Sequence, residues 1–172
     1  MNTNGNELFE RAIKDDYLSE SLAYFKDNKS LDSYLELCKI LNYRKFYLAL
    51  NLSFKNKKMM KKFNKEGYVP LEKMDELFYK DVLKAEISSN AGSELVLCAY
   101  SDPSKIDFSS GLVNGLEETT LEVAYEKYIK NCMIGGIIFN SMEEEFLIPL
   151  PYIEYVINGD YEAIKNRMTR KN

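Results

Sequence analysis

Leu31, Tyr34, Leu35, Cys38 and Leu41 recur at helical spacing. They form one continuous apolar stripe, and Ser30 stands where a cap would accept the first free amide. Two weaker patterns precede it. Leu8, Phe9, Ala12 and Ile13 predict a helix capped by Asn6 and closed by Asp15 and Asp16, and Leu22 with Phe25 predicts a short helix from about Ser19 to Lys26. From Lys45 the period changes to two. Phe46, Leu48, Leu50 and Leu52 alternate with Tyr47, Ala49 and Asn51, which predicts a strand buried on at least one face.

Val69, Leu71, Met74, Leu77 and Phe78 resume an apolar pattern. Residues 82–87 and 95–100 then read as the arms of a β-hairpin whose connection holds Asn90 and Gly92. The second arm stops at Ser101, Asp102 and Pro103, a turn or cap sequence. Thr119 and Glu122 have the spacing of a capping box, and Leu121, Ala124, Tyr125, Tyr128 and Ile129 follow on one helix face, with Glu126 and Lys130 paired four apart. Residues 133–140 read as a buried strand whose Gly135 and Gly136 imply a bulge or the close approach of another backbone. Residues 146–150 return as its partner, which Pro149 restricts to an edge or a strand end. Pro151 suits a helix first turn, and Tyr152, Ile153, Val156 and Ile157 give that helix its apolar face before Gly159. In the tail after 159, Tyr161, Ile164 and Met168 fit either a last helix or a frayed end. Helices lead and hairpins follow, so the expectation is an α+β fold, a mainly antiparallel sheet covered by helices with an N-terminal helical segment.

A length of 172 residues fits a single domain over 1–172, able to bury roughly 70% of its unfolded surface. The chain has no histidine. This excludes Ser-His-Asp triads, Cys-His dyads, HExxH zinc sites and mixed Cys/His fingers. Cys38, Cys98 and Cys132 show no CxxC spacing and sit in apolar patterns, so they are expected to be buried thiols in a reducing compartment. No apolar leader or membrane-length stretch is present, which leads to the expectation of a cytoplasmic protein, and the Lys- and Asn-rich composition suggests a bacterial one. The net charge of -4 divides unevenly: residues 55–65 carry six lysines and no acid, which leaves -10 over the remainder. Such an acidic balance disfavours an ordinary nucleic-acid binder.

Residues 95–157 resemble the SseB N-terminal domain family of bacteria. The resemblance rests on LVLCAYSDPSKI, on the helix LEETTLEVAYEKYIK, and on GGIIFNSMEEEFLIPLPYIEYVI as strand, Asn-containing turn, strand and helix; NELFERAIKD also looks like the family's first helix. Two features depart from the family: Asn140 is followed by Ser141 and Met142 rather than Pro-Gly, and the Lys-rich insert near 55–67 has no counterpart. The resemblance implies an α+β fold, a scaffold or regulatory role with no defined ligand, and no catalytic set.

Candidate chemistry is sparse. Asp15-Asp16, Asp75-Glu76, Glu117-Glu118 and Glu143-Glu144-Glu145 are paired carboxylates, yet they fit helix first turns and connections, and no DxDxDG loop accompanies them. Gly135-Gly136 is no nucleotide loop. With neither metal nor cofactor motif, the sequence favours a non-catalytic protein-binding domain, and in its most specific form an immunity protein that inhibits a basic toxin domain through an acidic surface. Glu143, Glu144, Glu145, Glu117, Glu118 and Tyr152 are its candidate contacts. The alternative anion site is the lysine run at Lys57, Lys58, Lys61 and Lys62, which lacks a clean apolar stripe and reads first as a solvated loop or exposed helix face.

Overall fold

The computed structural model describes residues 18–66, 74–89, 92–140 and 145–170. The expected first helix with Asp15 and Asp16, and the positions of Glu143 and Glu144, lie outside the described residues. Two helices come first, α1 (Leu18–Asp27) and α2 (Leu31–Tyr43), followed by strand β1 (Phe46–Phe54). Ser30 caps α2: its hydroxyl accepts from the Ser33 amide while the Ser33 hydroxyl accepts from the Ser30 amide. Leu35, Cys38 and Leu41 are buried as the stripe requires, and Leu22 of α1 is fully buried.

Helix α3 (Lys57–Glu66) and the one-turn α4 (Met74–Leu77) lead to β2 (Phe78–Val82), β3 (Lys84–Ser89) and β4 (Gly92–Tyr100). A single turn, Pro103–Lys105, precedes β5 (Gly115–Thr119), and α5 (Leu121–Ala124) widens at once into a π turn, Tyr125–Ile129, in which the Lys130 amide reaches back to Tyr125. β6 (Gly136–Phe139), β7 (Phe146–Pro149), α6 (Leu150–Ile157) and α7 (Tyr161–Thr169) complete the chain. The class is α+β, with a seven-stranded, mostly antiparallel open sheet.

The strand order along the main path is β2-β1-β4-β6-β7, with β3 on β4 and β5 on β1. Leu50 pairs with both Val82 and Gly115, so β2 and β5 flank β1 on opposite sides. The segment 78–89 is therefore a wedge between β1 and β4: β2 pairs the first, β3 pairs the second, and Leu83 joins them by donating to the Ala49 carbonyl and accepting from the Cys98 amide. This corrects the expected hairpin arm, because Val82 closes β2 and the arm begins at Lys84. One pairing is parallel, β4 with β6, and it places Tyr100 and Phe139 at the same end of the sheet.

Helices α1, α2, α6 and α7 cover one face, whereas α3 stands apart from it. Phe46, Leu48, Leu50, Leu97, Ile137, Phe139, Phe146 and Ile148 meet α1, α2, α6 and α7 in the main core. Phe139 and Phe146 are fully buried, and Phe46 packs edge-on against Phe139 with ring centroids 4.9 Å apart. A smaller core on the other face joins Ala49, Val96, Cys98 and Ile138 to Ile106 and Val113 of the long connection after β4. In the C-terminal tail, Tyr161–Thr169 form α7, capped by Asp160, and Ile164 is fully buried. β7 ends the sheet at Pro149, and the Tyr34 hydroxyl donates to the Leu147 carbonyl on that strand, 3.1 Å away.

Candidate functional site

The parallel pair β4 and β6 brings two sequence-distant residues together just past their carboxyl ends, the position at which open sheets with parallel strands leave room for ligands. Ser101 follows β4 and Asn140 follows β6. The Ser101 amide donates to Asn140 Oδ1 at 3.0 Å, and because an amide N–H can only donate, this bond fixes which end of the Asn140 side chain is oxygen. Asn140 Nδ2 then donates to Ser101 Oγ at 2.9 Å, and Ser101 Oγ lies 2.7 Å from Ser19 Oγ at the start of α1. Asn140 is buried and adopts φ +46°, a left-handed conformation that asparagine tolerates better than most residues. Helix, parallel strands and turn are thus tied at one point.

Around this point opens a polar cleft of about 400 Å³, lined by Ser19, Tyr43, Arg44, Lys45, Tyr47, Ser101, Asp102, Pro103 and Glu118. Asp102 caps the turn after it: its carboxylate accepts from the Ser104 amide at 2.7 Å, and the Ser104 hydroxyl and amide hold its carboxyl below the usual range. On the opposite wall Lys45 Nζ meets Glu118 at 2.9 Å, and the Tyr47 hydroxyl donates to the same carboxylate at 3.5 Å. Tyr43 stands at the rim, 68% exposed. The cleft therefore offers the Ser19 and Ser101 hydroxyls, the latter held by the buried Asn140 amide, with two cationic groups, two anionic groups and tyrosine rings. Among the described residues, no group of three or more metal-ligating side chains is present.

Among the described residues, the expected contacts Glu117 and Glu118 do not share one surface. Glu117 and Glu118 lie on β5, not in a helix first turn, so they point to opposite faces. Glu117 faces the helices: Lys127 is 2.9 Å and Lys80 3.8 Å from its carboxylate, and the Tyr128 hydroxyl donates to it at 2.8 Å. Glu118 belongs to the cleft. Tyr152 is a core residue, 9% exposed, because it falls on the inner face of α6; it is unavailable as a partner contact. Glu145 is exposed, at the start of β7. The helix cap is Thr120, whose hydroxyl accepts from the Val123 amide, whereas Thr119 ends β5 and is buried. Cys38 and Cys98 are buried as expected, but Cys132 is exposed beyond the π turn.

The lysine run is helical and solvent-facing. Asn56 caps α3 by accepting from the Met59 amide at 3.0 Å, and Lys57, Lys58, Lys61 and Lys65 are exposed. Lys62 lies in the same helix. At about 100° per residue, Lys57, Lys58, Lys61 and Lys65 share an arc of roughly 100°, and Met59 and Met60 lie on the other side. The helix thus segregates its residues more cleanly than the linear sequence suggests.

Two phenols, buried Tyr125 and half-buried Tyr128, give a pH expectation. Burial, with the Glu117 carboxylate adding to it, pushes Tyr128 up to about 12. The hydrogen bond to Glu154, 2.5 Å long, together with burial, does the same to Tyr125, also to about 12. Raised values mean that the fold favours the protonated phenols. Their contribution is fully present below the ordinary tyrosine value of 10.0 and is lost as pH rises from there to about 12. Urea midpoints should accordingly fall over that window, and Tyr128→Phe should flatten the fall; an identical slope in the variant would refute the assignment.

No protein-family model, curated protein or solved structure matches this chain.

Proposed function

We propose that the chain is a non-catalytic protein-binding domain whose partner enters the polar cleft at the carboxyl ends of β4 and β6. The observation that supports this reading is the composition of the cleft: Arg44, Asp102 and the Lys45–Glu118 ion pair line about 400 Å³, with Tyr43 exposed at the rim. Tyrosine and arginine are the residue types that most often anchor interfaces, since they give large, stiff contact areas with a polar end. A lining of both charge signs fits a partner segment that itself carries both. The wider excess of -10 outside residues 55–65 would speed encounter with a basic partner. An immunity protein neutralising a toxin domain is the specific form of this reading; an SseB-like scaffold is the alternative.

The test is a photo-crosslinking residue placed at Tyr43, with Tyr79 as control. Tyr79 is 61% exposed and pairs with Ser53 at the opposite end of β1. Crosslinking in the native host should trap one stoichiometric protein at Tyr43 and none at Tyr79, and Tyr43→Ala should weaken binding of that purified partner about tenfold or more. Trapping at both positions or neither would overturn the proposal. Co-expression separates the two forms, because only an immunity protein protects cells from its partner.

A further inference from the structure

Helix α3 is an excursion between β1 and β2, whose ends pair as Phe54 with Phe78, and it projects from the end of the sheet opposite the cleft. We infer that α3 is a docking element for an anionic lipid surface. No ion pair joins its lysines Lys57, Lys58, Lys61 and Lys65 to the side chains described, while several lysines elsewhere are paired: Lys80 with Asp75 at 2.6 Å, Lys84 with Asp81 at 2.7 Å and Lys130 with Glu126 at 2.7 Å. Of the acids near it in the chain, Asp75 is held by Lys80, Glu76 is exposed, and Glu66 ends the helix itself. Lys55 extends the basic edge, with its Nζ 5.7 Å from the centroid of the Tyr79 ring.

Three features favour a bilayer over a nucleic acid. First, α3 contains lysine and no arginine; a hydrated point charge suits a fluid headgroup layer, whereas phosphate and base recognition favours the bidentate guanidinium. Second, Met60 is 40% exposed and Tyr79 is 61% exposed at the same end of the sheet. An apolar chain and an amphipathic ring both gain at the depth of the headgroups. Third, the rest of the molecule is acidic, and a long flexible polyanion would run against it. A flat surface touched at one protruding helix avoids that repulsion, because the cleft acids lie the length of β1 away, roughly 27 Å at about 3.4 Å per residue, well beyond a Debye length of about 8 Å.

The experiment is co-sedimentation of the full chain with vesicles of phosphatidylcholine alone or with 30% phosphatidylserine (~30%, enough for a marked negative surface potential). Binding should require the serine lipid and weaken steeply with added salt. Replacing Lys57, Lys58, Lys61 and Lys65 together by alanine should reduce it on the order of 600-fold, as each lysine near such a surface contributes roughly fivefold. The same four positions as arginine should retain it. A charge-matched control, Lys26, Lys29, Lys165 and Arg170 to alanine, removes exposed cations elsewhere and should bind like the parent. Equal binding to neutral vesicles, an equal loss in the control, or tighter binding to single-stranded RNA at the same salt would overturn the assignment. The outcome is independent of the cleft.

Discussion

Asn140→Ala is expected to lower the unfolding free energy by about 3 kcal/mol, measured as the shift of a urea-unfolding midpoint. Two losses combine. The backbone at residue 140 sits at φ +46°, where alanine costs about 1 to 2 kcal/mol. The Ser101 amide and hydroxyl also lose their partner, and a polar group left unsatisfied away from water costs about 1 to 3 kcal/mol. Asn140→Gly separates the two, since glycine accepts the backbone conformation but restores neither hydrogen bond, leaving a deficit of about 2 kcal/mol. The same substitution frees Ser101 from its fixed distance to Ser19 and should weaken partner binding at the cleft. An alanine variant as stable as the parent would mean that this amide does not hold the parallel strands in place.

The second large effect distinguishes two adjacent glycines. At Gly136 a Cβ would stand 2.6 Å from the Ile148 carbonyl oxygen and 3.1 Å from the Pro149 Cα, both backbone atoms of the neighbouring strand. Neither can give way without separating β6 from β7, so Gly136→Ala should cost about 3 kcal/mol. At Gly135 the Cβ would meet the Glu94 carboxylate, also at 2.6 Å, but at the far end of an exposed, flexible side chain that can swing aside, leaving the Glu94 Cβ at 3.2 Å to be eased by a small shift. Gly135→Ala should therefore cost under about 1 kcal/mol. Thermal or urea unfolding of the pair tests this directly, and equal losses would show that strand approach is not what selects glycine at 136.

These glycines were readable from the sequence as a close approach inside an apolar run, and so were α2 from its stripe and Ser30, and the β6–β7 pair from its hydrophobic arms. β5 was not. Its residues, Gly-Leu-Glu-Glu-Thr, offer no apolar face, and the strand exists because β1 supplies a ladder and because Lys80, Lys127 and Tyr128 neutralise Glu117 on the inner side. Tertiary pairing overrides local preference there. Tyr152 misled in the opposite sense, since a tyrosine fits a buried helix face as well as a binding rim. Cys132 misled because apolar neighbours along the chain say nothing about which side of a terminating turn faces solvent. The cleft was out of reach altogether: its lining comes from α1, the end of α2, β1, the turn after β4 and β5, and only the parallel β4–β6 crossover brings its floor together.

The way β7 finishes the sheet bears on how this protein can associate. A strand added along that side, from a second copy or from a partner peptide, would find only four residues. One of them is Pro149, which has no amide hydrogen to offer, and the Leu147 carbonyl already accepts from Tyr34. Extension of the sheet is therefore blocked at this border. The domain can present charges and rings to solvent while its backbone stays closed to templated growth on that side.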